Sequence, residues 1–140
     1  MLEALDAVAR RLREHDVPFL LGGSALLRAL GLDVEVRDID LMLRAEDRAR
    51  FEAAAGEWLV STTTEPGPVL TSAWKATLDV GGVEVEGLGG LGFADGRELP
   101  FRGAGEWRGV PLAAPEVWYE AYLAYDPEKA ALLEPIVRSR

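Results

Sequence analysis

A tight turn between an apolar segment and a short helix is the feature that most restricts the fold of this sequence. The apolar run at residues 17–21 predicts a buried strand, and Gly22 and Gly23 end it. Ser24 is a residue type that caps helices, and residues 25–30 predict a short helix behind it. A strand that enters a helix through such a turn presents backbone N–H groups to an anion. Glycines also allow a phosphate group to approach the backbone closely.

Two aspartates follow this turn on the next predicted strand, residues 34–43. Asp38 is separated from Ser24 by thirteen residues, and Asp40 follows it after one isoleucine. Side chains two positions apart on a strand point to the same side, so we expect both carboxylates on one face, with Cα atoms roughly 7 Å apart. Carboxylates at this spacing can share one divalent cation or hold two ions close together. The cation relieves their mutual repulsion.

A third carboxylate is expected from the hairpin that comes later in the chain. Residues 73–80 and 83–88 predict two strands joined by a two-glycine turn. Glu84 and Glu86 alternate with valines on the second strand and therefore share its polar face. If this strand lies beside the aspartate strand, either glutamate can complete a metal triad or accept a proton from an attacking hydroxyl. The alternative for both is a strand face that contacts only water.

The remaining pattern predicts an α/β fold of the α+β type, with a small, mixed, twisted sheet and helices on one side. Residues 106–112 predict a last short strand, and residues 60–72 are rich in Thr, Pro and Gly and predict a loop. We expect one domain over residues 1–140, with a catalytic core at about 1–112 and a C-terminal helical pair at about 115–138. The longer helices are predicted at residues 2–15, 46–56, 115–125 and 127–137.

Composition limits the chemistry that this fold can perform. The chain has no cysteine and one histidine, which excludes thiolate nucleophiles, disulfides and zinc–thiolate sites. A metal must therefore bind through oxygens, which suits Mg²⁺ or Mn²⁺. The formal net charge of −9 disfavours general nucleic-acid binding and favours a basic acceptor. No segment predicts a signal peptide or a membrane span, so we expect no membrane partner and a cytoplasmic location.

The segment at residues 19–43 resembles the signature of the nucleotidyltransferases of the DNA polymerase β superfamily. The sequence has Leu21-Gly22-Gly23-Ser24, a short predicted helix, and then Asp38-Ile39-Asp40-Leu41. The order of elements extends the resemblance to about residue 88, and the C-terminal part is similar to small family members that act on non-polymeric acceptors. The family transfers a nucleoside monophosphate from a nucleoside triphosphate to a hydroxyl and releases pyrophosphate.

The resemblance implies roles for the motif residues. Asp38 and Asp40 would bind Mg²⁺, and the third family carboxylate falls on a later strand, where Glu86 is the first choice and Glu84 the alternate. This carboxylate is most often Asp in the family, so the glutamate here is a departure that lengthens the side chain. The triphosphate of ATP, or of another nucleoside triphosphate, would be bound by Gly22, Gly23 and Ser24.

Two functional hypotheses follow from the resemblance. The first is a Mg²⁺-dependent nucleotidyltransferase that moves AMP to a hydroxyl of a small molecule or of a protein, a partner toxin being one such protein. The second is a catalytically impaired module of the same fold, such as an antitoxin acting through protein contacts. An active site should show three carboxylates at an open pocket beside the glycine turn. An impaired site should show Asp38 or Asp40 in internal salt bridges, and a purely structural domain should show the turn covered by side chains.

Overall fold

A seven-stranded mixed sheet forms the centre of the molecule in the computed structural model, which describes residues 1–140. The helices are α1 (Leu2–Glu14), α2 (Gly23–Ala29), α3 (Arg48–Ala55), α4 (Pro115–Tyr125) and α5 (Pro127–Arg138). The strands are β1 (Leu20–Gly22), β2 (Ile39–Leu43), β3 (Leu59–Thr63), β4 (Leu70–Thr71), β5 (Trp74–Val80), β6 (Val83–Gly89), β7 (Gly92–Phe93), β8 (Gly103–Trp107) and β9 (Val110–Ala113). The strand order is β3-β5-β6-β2-β1-β9-β8, and β4 pairs with β7 in a separate small sheet.

The central strands combine both kinds of pairing. β1 runs antiparallel to β2 and parallel to β9, whereas β2 runs parallel to β6. β5 and β6 form the predicted antiparallel hairpin, and its turn residues Gly81 and Gly82 have φ of +60° and +87°. Positive φ at both positions is the conformation that favours glycine in a two-residue hairpin turn. The predicted mixed sheet and the C-terminal helical pair are confirmed.

Helices α1 and α3 cover one face of the sheet. Leu5, Val8 and Leu12 repeat at helical spacing in α1 and are buried. Phe51 of α3 lies where a side chain at Gly87 would be, since a Cβ added there would be 2.7 Å from its ring. Gly87 alternates with Glu86 along β6, so α3 packs on the face opposite to Glu86. Helices α1 and α3 therefore cover one face and leave the glutamate face for other contacts.

The predicted strand at residues 34–43 is too long, because only Ile39–Leu43 forms β2. Antiparallel pairing with β1 ends where Gly22 faces Asp40, so the chain before that point has no partner on that side. Residues 32–37 form an irregular segment instead, in which Arg37 pairs with Glu35 at 3.3 Å. Asp38 therefore lies just before the strand rather than within it.

The predicted loop at residues 60–72 is also wrong in part. It contains most of β3, which pairs with β5 at the edge of the large sheet, and all of β4. Threonines favour the extended conformation, and here that tendency prevails over the Pro and Gly that follow. The single strand predicted at residues 106–112 is a hairpin of β8 and β9, which turns at Arg108 and Gly109 with positive φ at both. None of the five helices has the length and apolar character needed to cross a membrane.

Asp47 is the only charged residue that is completely buried, and it connects the end of β2 to α3. Its carboxylate lies 2.7 Å from Nε of Arg44 and 2.6 Å from Nη2 of Arg50. The hydrogen bond from Arg44 is the main cause that lowers the pKa of Asp47, and the bond from Arg50 adds to it. The lowered pKa means that this ionised group stabilises the fold above about pH 4 and that its contribution is lost as the pH falls.

Removing both arginines is expected to destabilise the protein by about 3–5 kcal/mol, because a buried carboxylate then has no partner. The variant is Arg44→Met with Arg50→Met, measured by urea unfolding at pH 7. The matched control is Arg48→Met, which breaks a more exposed pair with Glu52 at 3.0 Å and should cost less than about 1 kcal/mol. Similar losses in the two variants would contradict a special role for the Asp47 cluster.

Candidate active site

Three carboxylates converge on the open face of the sheet. Asp40 lies in β2 with Gly22 of β1 as its register partner on one side and Glu86 of β6 on the other. Asp38 immediately precedes β2 and reaches the same place. One carboxylate oxygen each from Asp38, Asp40 and Glu86 lies within 4.8 Å of the others, and all three residues are half-buried. The parallel pairing of β2 with β6 thus brings together the acids that the sequence singles out.

Glu84, the alternate third carboxylate, is not part of this cluster. Pairing between β2 and β6 begins with Ile39 opposite Val85, so Glu84 lies before the start of the shared register. It is exposed and faces Asp79 of β5 across the hairpin. The geometry favours Glu86, whose role in catalysis stays a prediction.

Neighbouring side chains pack closely against the glycine turn and leave no room for side chains on the turn itself. A side chain at Gly23, where φ is +60°, would place its Cβ 2.3 Å from Oδ2 of Asp40. A side chain at Gly22 would place its Cβ 2.4 Å from the indole ring of Trp118. Helix α2 begins at Gly23, so Ser24 lies in its first turn and is not the N-cap that the sequence predicts. The two glycines therefore make room for Asp40 and for Trp118.

Lys129 of α5 is a site residue that the sequence reasoning missed. Its Nζ donates a hydrogen bond to Oγ of Ser24 at 3.0 Å and lies 3.8 Å from Asp126. Lysine and serine are 105 positions apart, so no local pattern connects them. A signal was nevertheless present, because Lys75 and Lys129 are the only lysines in the chain. Lys75 lies at the same cluster, 3.3 Å from Glu86.

A cavity of about 480 Å³ opens beside Asp40 and Glu86, which both line it. Trp118 and Tyr125 of α4 form its aromatic side, and Trp118 is otherwise buried in the core. Neither Asp38 nor Asp40 takes part in a salt bridge, which is the arrangement expected of an open site rather than an impaired one. The cavity is lined by Asp40, Thr63, Glu65, Pro66, Gly67, Pro68, Leu70, Thr71, Ser72, Lys75, Glu86, Leu88, Leu91, Trp118 and Tyr125.

The pKa of Asp40 is raised to about 7, mainly by burial and in addition by the negative charges of Asp38 and Glu86. Lys75 and Lys129 partly offset this effect. Burial also raises the pKa of Glu86, against the influence of Lys75. Ionising Asp40 and Glu86 is therefore unfavourable in the protein alone, and a divalent cation would compensate the crowded negative charge.

The metal-free protein is expected to lose stability between about pH 4 and pH 7 because of Asp40. Over this range the carboxyl ionises in the unfolded chain but stays protonated in the fold, so the contribution of this group is complete below pH 4 and declines towards pH 7. Asp40→Asn should remove the part of the decline that Asp40 causes and be more stable than wild type by about 2 kcal/mol at pH 8. This value is about half of the free energy that corresponds to the full rise in the pKa of Asp40, because Asp40 is only half-buried.

Urea unfolding at pH 5 and pH 8 in EDTA measures this effect. The exposed Asp33→Asn variant is the control and should keep the wild-type dependence on pH. If Asp40→Asn also kept that dependence, the raised pKa of Asp40 would be contradicted.

Solved nucleotidyltransferase structures share this architecture. The crystal structure of a candidate nucleotidyltransferase from Thermotoga maritima (TM1012) is 26% identical, with a TM-score of 0.76, and the match covers 99% of this chain and 93% of that one. The chain has the nucleotidyltransferase fold. The predicted resemblance is thereby confirmed, and the neighbour supports the expectation that this chain is a nucleotidyltransferase enzyme.

Two structures of the antibiotic-resistance factor ANT(2″)-Ia show the same nucleotidyltransferase fold. The match to its solution structure covers 96% of this chain and 83% of the ANT(2″)-Ia chain, with a TM-score of 0.65 and 16% identity. The match to its crystal structure in complex with adenylyl-2″-tobramycin covers 98% of this chain and 90% of the ANT(2″)-Ia chain, again with a TM-score of 0.65 and 16% identity. No protein-family model and no curated protein matches the sequence.

Proposed function

We propose that this chain is a Mg²⁺-dependent nucleotidyltransferase that moves a nucleoside monophosphate, AMP in the first instance, from a nucleoside triphosphate to a hydroxyl of a small molecule. The observation that carries the proposal is the cluster of Asp38, Asp40 and Glu86 at the edge of a cavity within a nucleotidyltransferase fold. An all-oxygen donor set suits Mg²⁺ or Mn²⁺. The absence of salt bridges to either aspartate supports a working site rather than an impaired module.

The donor is assigned to the side of the cluster where the glycine turn lies. Asp38 and Asp40 would hold Mg²⁺, which when bound neutralises phosphate charge and aligns the attacking and leaving oxygens. The triphosphate would lie along the turn, where Ser24 and the ammonium group of Lys129 are already hydrogen-bonded to each other. Lys129 supplies the positive charge that β- and γ-phosphates require in a protein of strongly negative net charge.

The acceptor is assigned to the cavity next to Glu86. Its hydroxyl oxygen forms a bond to the α-phosphorus, the bond from that phosphorus to the bridging oxygen of pyrophosphate breaks, and the hydroxyl proton passes to Glu86. Because α4 supplies Trp118 to the cavity and α5 supplies Lys129 to the glycine turn, we also propose that residues 1–140 act as one functional unit.

A small molecule is the first choice of acceptor. The cavity volume of about 480 Å³ lies within the usual range for small-ligand sites. The ANT(2″)-Ia complex contains an adenylylated small molecule, adenylyl-2″-tobramycin. Glu65 also lines the cavity and is not assigned to the metal, and the chain has a formal net charge of −9, so a basic acceptor is favoured. The neighbours do not support a partner toxin, and a protein acceptor is a second option for the screen.

Calorimetric titration of ATP, with and without Mg²⁺, tests the donor site in wild type and in the Asp38→Ala, Asp40→Ala double variant. We expect binding that requires both Mg²⁺ and the two aspartates. Pyrophosphate release with hydroxyl-bearing acceptors, tobramycin first, then tests transfer, and mass spectrometry identifies the product. If wild type with Mg²⁺ fails to bind any nucleoside triphosphate, the donor assignment is wrong and a binding module of this fold becomes the better description.

A further inference from the structure

The two lysines of the chain occupy the two sides of the acidic cluster. Fifteen residues are Lys or Arg, and all except Lys75 and Lys129 are arginine. Lys129 contacts Ser24 on the turn side, whereas Lys75 contacts Glu86 on the cavity side. All other basic residues of the chain except its one histidine are arginine, so the two lysines at the cluster indicate that a property of the ammonium group, rather than of guanidinium, matters there.

Lys75 reaches Glu86 across neighbouring strands. Its register partner on β6 is Leu88, two residues beyond Glu86, so both side chains lie on the same face of the sheet. The Nζ atom is 3.3 Å from Oε2 of Glu86. The lysine side chain is 42% exposed and the glutamate side chain is 19% exposed, and both line the cavity. The ion pair is therefore positioned where the acceptor would enter.

The difference between ammonium and guanidinium explains why lysine suits this position. An ammonium group acts as a compact point charge and can hold one carboxylate oxygen while the second stays available. A guanidinium group tends to bind both oxygens of a carboxylate through its planar fork. Glutamate also has one more rotatable bond than aspartate, so a carboxylate of Glu at this place gains more from being held.

We propose that Lys75 is a positioning residue: it holds one carboxylate oxygen of Glu86 and leaves the other for the bound metal or the acceptor hydroxyl. The inference rests on the proposed function and deepens it, because it gives the third carboxylate a fixed orientation. It assigns different tasks to the two lysines, since Lys129 serves the phosphate side and Lys75 serves the carboxylate. The ion pair between Lys75 and Glu86 persists when the metal binds.

Nuclear magnetic resonance of protein labelled with [¹³Cε]lysine tests the ion pair directly, since two lysines give two signals. The Lys129→Arg variant assigns them. In metal-free protein, Glu86→Gln should shift the Lys75 signal, and the matched control Glu84→Gln on the same face of β6 should not. Saturating wild type with Mg²⁺ in the absence of nucleotide should not move the Lys75 signal to the chemical shift that it has in Glu86→Gln.

Each contrary result has a distinct meaning. If Glu86→Gln does not shift the Lys75 signal, or if bound Mg²⁺ moves that signal to the Glu86→Gln position, Lys75 is not the positioning residue, although the proposed function stands. If calorimetry shows that Mg²⁺ and MgATP do not bind wild type at all, the proposed function fails and the inference fails with it.

Kinetics with MgATP and an acceptor that is turned over provides the second test. Lys75→Met should lower kcat about 10–100-fold, as loss of an outer-shell partner does, and change KM for ATP less than about threefold. Lys75→Arg should not restore kcat to within about tenfold of wild type, because guanidinium takes both oxygens. The control Arg97→Met breaks the exposed Arg97–Asp95 pair, 2.9 Å in length, and should match wild type. Wild-type kcat in Lys75→Met, or full rescue by arginine, overturns the proposal.

Discussion

Asp40→Asn is expected to lower kcat for nucleotidyl transfer about a thousandfold while the protein stays folded. The amide is nearly the same size as the carboxylate but cannot supply a negatively charged ligand at the centre of the cluster. Stabilisation of transition-state charge by metal ions contributes several kcal/mol, and about 4 kcal/mol corresponds to a thousandfold in rate. Pyrophosphate release measures kcat, and calorimetry with Mg²⁺ should show that ion binding is weakened in parallel.

Two variants provide the controls for this experiment. Asp33→Asn removes an exposed carboxylate a few residues earlier in the chain and should leave kcat unchanged. Asp38→Asn should resemble Asp40→Asn, and combining the two should add little, because ligands of the same ions act as a unit. A kcat for Asp40→Asn within tenfold of wild type would show that this carboxylate is not a metal ligand for catalysis.

Gly23→Ala is expected to abolish detectable Mg²⁺ binding and to destabilise the protein by about 3 kcal/mol. The added Cβ would lie 2.3 Å from Oδ2 of Asp40, so the carboxylate must leave its place in the cluster. The positive φ of +60° adds a backbone cost of about 1–2 kcal/mol for any L-residue with a side chain. Displacement of packed atoms adds about 1–3 kcal/mol more.

Gly31→Ala separates these two causes. Gly31 also has a positive φ, of +92°, but an added Cβ would meet nothing within 4 Å. This control should show the backbone cost alone and keep the wild-type affinity for Mg²⁺. The measurements are urea unfolding and calorimetric titration with Mg²⁺ for both variants. Equal affinity for Mg²⁺ in Gly23→Ala and Gly31→Ala would mean that the turn does not position Asp40.

The elements that could be predicted from the sequence are those specified by local pattern. Alternation of apolar and acidic residues around Asp40 identifies β2, and the two-glycine turn identifies the hairpin of β5 and β6. The expectation that the two strands lie side by side rested on the family resemblance. The structure places Asp40 directly opposite Glu86, so Glu86 rather than Glu84 completes the cluster. Catalytic roles for these residues stay predictions.

Other features depend on contacts between distant parts of the chain and could not be predicted. Lys129 joins the site because its ammonium group reaches Ser24 from α5, and Trp118 because α4 lies against Gly22. Val34 and Val36 have the spacing of a strand but fail to form one, since β1 is too short to pair with them. In each case, the partner that decides the outcome lies in a different element.

The hydrogen bond from Lys129 to Ser24 has a consequence for the order of folding. It joins the second residue of α2 to the last helix, across 105 positions of the chain. Contacts of such long range form only after the cost in loop entropy has been met by the rest of the structure, so they belong to the late stages of folding. Partly folded chains would leave the carboxylates hydrated and separate. The ability to bind a divalent cation would then appear only with the native state, and the cation would draw the folding equilibrium towards that state.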